Sequence, residues 1–352
     1  MIRFAWLQSR TQTALVFGAL ASVAIVLALT GPHLVHLFDT NISGCAARGN
    51  CEAARVTFLR NDKTLRTWLD ILVMVTPGII GLFWGAPLVA RELESGTYRL
   101  VWTQSVSRTR WLAVKLAVVG LTGVAVAGFL SLVVTWWARP LDTVDANRFS
   151  PGTFDARGFV AIGYVAFAVA LGVTAGVLIR RTLPAMVTTL IAFVFARLAF
   201  ARWLRPHLIA PAHRIMTLDS ASTGFGTTNS GGSNLMAETP NIPNAWIQST
   251  RIVDQTGHAI TPRYLASACP RLNQDLRPPP GSGHAVRVQA PDDVKSALHE
   301  CVAKVATKFH TVVTYQPAGR YWAFQLYELA IFLGAALVLS GLCFWWIRRR
   351  LA

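Results

Sequence analysis

Charge is what this 352-residue sequence holds least of: 14% of its residues are charged, while 53% are hydrophobic. A soluble domain typically carries about 25% charged residues, so a soluble enzyme is excluded. Acid is scarcer still, with 17 Asp and Glu against 33 Lys and Arg and a formal charge of +16. The basic excess sits at the ends of apolar runs and through the polar segments, without a basic-aromatic module. Membrane-flanking arginines account for it, and no nucleic acid partner is expected. The pattern Gly-x-x-x-x-Gly-Lys-Ser/Thr is absent, so the chain has no P-loop with which to hold a nucleotide. His33, His36, His207 and His213 follow no zinc-like spacing. The glycine-rich run Gly224–Ser233 lacks a Gly-x-Ser-x-Gly elbow and reads as a flexible loop. No catalytic role, cofactor or metal is expected of the chain itself.

What is present is long apolar sequence. Six runs, Ala14–Gly31, Trp68–Ala90, Trp111–Trp137, Phe159–Ile179, Leu183–Phe200 and Tyr321–Ile347, approach or exceed the roughly 20 residues that cross a bilayer core. The expected fold is an all-α polytopic membrane protein of six transmembrane helices, with a large extracytoplasmic domain between helices 5 and 6. Residues 1–201 would hold five spans, preceded by an interfacial helix over Met1–Thr13. Residues 202–320 would form the outer domain, and residues 321–352 the last span and a basic tail. The first run has no small-residue cleavage site after it and reads as a retained span. Pro32 is expected to end that span. Pro77 and Pro87 interrupt the hydrogen-bond ladder of the second, which predicts a kink or a local unwinding.

Orientation follows from the basic residues. With both termini cytoplasmic, the tight clusters Arg180-Arg181 and Arg348–Arg350 fall inside. Cys45, Cys51, Cys269 and Cys301 then fall outside, where disulfides persist. Two local bridges, Cys45–Cys51 and Cys269–Cys301, are expected; the alternative is four reduced thiols. Within the outer domain, Pro291–Lys308 patterns as an amphipathic helix and His310–Tyr315 as a strand.

Ionisable residues sit near the ends of several apolar runs: Asp70 begins the second, Glu328 lies two turns into the sixth, and Arg197 lies about one turn from the outer end of the fifth. Carrying a charge to the bilayer centre costs about 2.5–3.5 kcal/mol on insertion scales, so such residues pair or line a wet cavity. An Arg197–Glu328 pair is one expectation; separate reach to the headgroups is the other. Gly172 and Gly176 form a small-xxx-small face for close helix packing, either within the chain or at a dimer seam.

The most informative stretch between spans is the connector Arg91–Arg110. It carries Arg91, Glu92, Glu94, Gly96, Arg99, Arg108 and Arg110, with Leu100, Val101 and Trp102 among them. A solvated loop would have no use for those apolar residues beside arginines, so the connector reads as a docking element for a soluble partner.

Trp84-Gly85-Ala86-Pro87-Leu88-Val89-Ala90-Arg91-Glu92-Leu93-Glu94-Ser95-Gly96-Thr97, followed by Trp102-Thr103-Gln104-Ser105-Val106-Ser107-Arg108 and Trp111-Leu112-Ala113-Val114-Lys115, resembles actinobacterial permease subunits of type-2 ABC transporters, the ABC-2 superfamily. Tyr315-Gln316-Pro317 and Arg320-Tyr321-Trp322 fit the same group. The resemblance implies a bacterial cytoplasmic membrane and a dimer of permeases bound to two ATP-binding subunits, with Arg91–Arg110 as the coupling element. Glu92 and Glu94 would face basic residues of the motor, and Arg99, Arg108 and Arg110 its acidic groove or lipid phosphates. The implied function is the membrane subunit of an ATP-driven exporter, with the outer domain capping the exit. The large segment before the last span departs from compact members, whose outer loop is short and helical. A second reading is a membrane-anchored sensor or scaffold, with an extracytoplasmic ligand-binding domain and a connector that recruits a signalling partner.

Overall fold

A computed structural model of the chain describes residues 2–43, 45, 51–97, 107–218, 223–227, 233–237, 240, 242–270 and 292–350. In chain order the elements are α1 (Ile2–Phe38) with a π-helical turn Asp39–Ser43, α2 (Cys51–Asn61), and α3 (Lys63–Ile80) with a π-helical turn Gly81–Gly85. Next come α4 (Pro87–Glu94), α5 (Arg108–Asp145), α6 (Pro151–Ala156), α7 (Val160–Ile179) and α8 (Thr182–Ala199). A π-helical turn Phe200–Leu204 and a 3-10 turn Arg205–His207 prolong α8. Then follow β1 (Ala212–Met216), β2 (Thr223–Thr227), β3 (Ser233–Ala237), β4 (Trp246–Asp254), α9 (Pro262–Ala268), α10 (Asp292–Ala306), β5 (Phe309–Gln316) and α11 (Tyr321–Arg350). They divide into two units, Met1–Leu208 with Gly319–Ala352, and Ile209–Ala318.

The first unit carries six stretches long and apolar enough to cross a membrane: Val16–Ser43, Lys63–Glu94, Arg108–Asp145, Val160–Ile179, Thr182–His207 and Ala318–Arg349. Their number is the expected one, but their ends differ. The first helix runs unbroken from Ile2 through Pro32, so it has neither a separate interfacial piece at Met1–Thr13 nor a stop at the proline. Among apolar surroundings a released carbonyl has no water to turn to, and a helix that continues past a proline strands fewer groups than one that ends there. The fifth stretch also outruns its expected end, so residues 202–208 belong to the helical unit rather than to the domain after it.

Helix α7 is the centre of the bundle: 67% of its apolar window is buried, against 22–39% for the other five stretches. Its neighbour, the second span, comes close because both surfaces are nearly bare backbone. A Cβ on Gly172 would lie 2.6 Å from the Gly81 carbonyl oxygen and 2.7 Å from the Ala86 nitrogen, and one on Gly176 would lie 2.8 Å from the Ala86 oxygen. The small-residue face of α7 therefore packs within the chain. The second span meets it through the turn Gly81–Gly85. Pro87 has no N–H to offer the preceding turn and its ring crowds the carbonyl four residues back. The ladder widens there instead of breaking, with the Ala86 N–H donating to the Gly81 oxygen at 2.9 Å. Pro77 is accommodated inside α3, and Pro87 takes the first turn of α4, where a missing N–H costs nothing.

The second unit departs from the all-α expectation. An antiparallel sheet in the order β1-β5-β4 lies beside a separate β2-β3 hairpin. The stretch Phe309-His-Thr-Val-Val-Thr-Tyr-Gln is rich in β-branched and aromatic residues and suits a half-buried pleated surface. The run Gly224–Ser233, expected to be a flexible loop, contributes to both strands of that hairpin. A small core of Leu218, Ile252, Leu265, Val302 and Val305 surrounds the Cys269–Cys301 disulfide. The other expected bridge, Cys45–Cys51, joins the end of the first span to α2.

Close packing at Gly172 carries an opposite sign to ordinary helix propensity. Gly172→Ala should destabilise the purified protein by about 1–3 kcal/mol through overpacking. Gly334→Ala, where a Cβ meets open space, should be neutral or stabilising by up to about 1 kcal/mol. Thermal unfolding of the two variants checks the contrast.

Candidate functional site

Polar side chains gather at the two ends of the bundle. At the connector end, Gly96 with φ +70° turns the chain out of α4, a conformation glycine adopts without a Cβ penalty. On the other side of the connector, the Ser107 hydroxyl accepts from the Arg110 N–H at 3.3 Å and caps α5. Arg99 lies outside the described residues. Arg91 and Arg110 are exposed, and Arg108 is half-buried.

Both connector glutamates have partners within the chain, Glu92 half-buried and Glu94 exposed. Glu92 pairs with Lys115, whose ammonium also donates to the Leu88 carbonyl at 3.2 Å and lies 4.6 Å from the centroid of the Trp111 ring. Glu94 accepts from the Thr182 N–H at 2.9 Å and from its hydroxyl at 2.6 Å, so it caps α8. The reason is local supply. A helix N-terminus and an ammonium group lie within reach of the carboxylates, and both favour negative charge. As a result α4 is joined through one glutamate to α5 and through the next-but-one to α8.

The other end of the second span is roughly 36 Å away at 1.5 Å per residue. There, Asp155 on α6 accepts from Arg197 at 2.6 Å and from Arg205 at 2.6 Å. Arg205 also holds Glu328 of α11 at 2.8 and 2.9 Å. Tyr164 of α7 donates to Glu328 and lies 3.2 Å from Asp155. The Arg197 guanidinium covers the Tyr164 ring at 4.1 Å, and that of Arg205 covers the Phe154 ring at 4.4 Å. Beside this group, Arg157 bonds Asp70 at 2.6 Å and Asp142 at 2.9 Å, while Arg66 reaches Asp142 at 3.2 Å, Asp145 at 2.9 Å and Thr153 at 3.3 Å. Burial works against the Arg157 charge, but the facing carboxylates outweigh it and hold its pKa above the ordinary arginine value.

Arg197 and Glu328, expected as a direct pair, are not bonded to one another. Arg197 bonds Asp155 and Glu328 bonds Arg205, so the two belong to one network through intermediaries. Sequence reading missed Asp155, Arg157 and Arg205 because the first two fall between the expected third and fourth spans and the third within the residues assigned to the outer domain. The available signal was Phe149 and Phe154 bracketing Pro151 in a segment outside the apolar runs.

A family model described as ABC-2 membrane transporter related matches residues 17–205. The chain belongs to this family. No curated protein and no solved structure matches it. The matched region of this ABC-2-related protein covers the first five spans, contains both connector glutamates, and ends on Arg205. It is a multi-pass membrane component of the transporter class.

Arg205 is the cation shared by two buried carboxylates. Arg205→Met should therefore lower stability by about 3–5 kcal/mol, the cost of leaving buried charge unpaired. Adding Glu328→Gln should recover part of the loss. Thermal unfolding in a fixed detergent tests both, and equal stability of Arg205→Met and the parent would contradict the network.

Proposed function

We propose that the chain is the membrane-spanning permease subunit of an ATP-driven exporter, and that a separate ATP-binding subunit supplies its energy. The observation that carries this reading is the family match over residues 17–205 in a chain with no P-loop of its own. In the working assembly two such permeases, or one and a related chain, bind two ATPases in a bacterial cytoplasmic membrane, with both termini cytoplasmic.

The bonds from the connector glutamates to neighbouring spans favour a lever. Exposed Arg91 and Arg110 meet the motor, with Arg99 on the same connector, and Arg108 stands at the root of α5. Motor closure then shifts α4. Glu92–Lys115 carries the shift into the third span, and Glu94–Thr182 carries it into the fifth. The widened turn Gly81–Gly85, between Pro77 and Pro87, lets the second span bend about its glycine contact with α7. An i→i+5 turn has already given up the regular ladder, so reshaping it breaks few bonds. Alternating access between the protomers follows. The unit Ile209–Ala318 faces the extracytoplasmic side and caps the exit, a placement supported by two disulfides in the segments this topology puts outside.

Affinity purification of the tagged chain from its native membrane should bring down a P-loop ATPase. Isolation of a transport-active assembly with no nucleotide-hydrolysing subunit would overturn the reading. In that complex Glu92→Gln should leave the ATPase bound and reduce transport per ATP hydrolysed roughly ten-fold, equivalent to about 1.4 kcal/mol of lost coupling. Orientation has its own check. Lys308→Cys should react with an impermeant maleimide on intact cells, and labelling only after lysis would reverse the topology.

A further inference from the structure

The stretch between the third and fourth spans lies outside the apolar runs, yet it is among the most buried parts of the bundle. Thr153, Phe154, Asp155, Ala156 and Arg157 are each 0–6% exposed. This segment bonds five different spans, the fourth through Asp155 and Tyr164. Toward the second span, Thr153 meets Arg66 and Arg157 meets Asp70. Toward the third, Arg157 meets Asp142, and the Gly158 carbonyl accepts from Ser131 at 2.9 Å. Toward the fifth, Asp155 meets Arg197 and Arg205. Toward the sixth, Gln325 uses both ends of its amide: its nitrogen donates to the carbonyls of Phe154 and Arg157, and its oxygen accepts from the N–H groups of Phe159 and Val160 at the start of the fourth. Gly158, at φ +74°, has no room for a side chain, because a Cβ would lie 2.8 Å from the Gln325 amide oxygen.

We propose that Pro151–Gly158 is a latch that closes this end of the bundle and withdraws as a unit when the exit opens; the exit rests on the exporter reading above. The chemistry of the contacts separates a latch from a permanent brace. Ion pairs buried at this depth contribute little more than well-packed apolar residues would, and often less. Their distinctive property is that water can replace each partner as the pair separates, which an apolar contact cannot match. The closed state is also incompletely satisfied: among the described residues, Arg157 Nη2 is buried with no hydrogen-bond partner. Asp155 is the hinge-pin of the device, since one carboxylate holds the arginines of the fifth span and contacts Tyr164 of the fourth. Gln325 and Glu328 act as positioning residues on the sixth span.

The other four cysteines are disulfide-bonded and Cys343 is buried, so a single reporter is available. Ala156→Cys in a Cys343→Ala chain places a thiol at a position with 0% exposure. N-ethylmaleimide should modify it slowly in the resting protein. Modification should be about ten-fold faster when Asp155→Asn or Glu328→Gln is added, and faster again by a similar factor in the ATPase complex trapped with ATP. Unchanged reactivity in both charge variants, each confirmed as folded by its melting transition, would overturn the latch. Acceleration in the variants with none on ATP trapping would reduce the segment to a static brace and equally overturn it. The ATP arm contains no charge variant and decides the matter if those variants fail to fold. Failure to recover any ATPase would count against the exporter reading, while unchanged reactivity in the charge variants would by itself overturn the latch.

Discussion

Arg205 lies within hydrogen-bonding distance of Asp155 and Glu328 while only 5% exposed, so one guanidinium serves two carboxylates at the margin of the apolar bundle. Placed there alone, each of the three groups would cost more than its side chain recovers by packing. Together, with Arg197 and the Tyr164 hydroxyl, they share their bonds, and that mutual need gathers the fourth, fifth and sixth spans and the short helix α6 at one end. The adjoining cluster of Arg66, Asp70, Asp142, Asp145 and Arg157 does the same for the second and third.

The opposite end is organised by fewer and simpler contacts. Two glutamates, one on each side of Leu93, reach neighbouring spans through an ammonium and a helix N-terminus. Between the ends the second span carries a turn that is not α-helical, packed against the bare backbone of α7. The second span is thus held at both ends by polar bonds and interrupted in the middle.

The six spans were legible because apolar length is a property of each segment alone and the bilayer sets one threshold for all of them. Both disulfides were legible from cysteines that fall pairwise in the same polar segments. Less was visible at Glu92 and Glu94. A carboxylate next to an arginine in a short loop looks free to meet a partner, and nothing nearby in sequence indicates that Lys115 and Thr182 will claim it. The hairpin at Thr223–Ala237 was hidden for a related reason: glycine and serine have little strand preference of their own, so the pairing is set by what surrounds them.

By itself, then, the sequence determined that the chain holds six stretches long and apolar enough to cross a membrane, that it carries no P-loop pattern, and that its small-residue face on the fourth span would meet something closely. Tertiary structure alone decided what that face meets, which carboxylate each arginine serves, and that the piece between the third and fourth spans is buried. The physical reason is range. Hydrophobic length and residue size act within a segment, whereas an ion pair such as Arg205–Glu328 joins residues distant along the chain, and a partner's identity is settled only once the helices between them have packed.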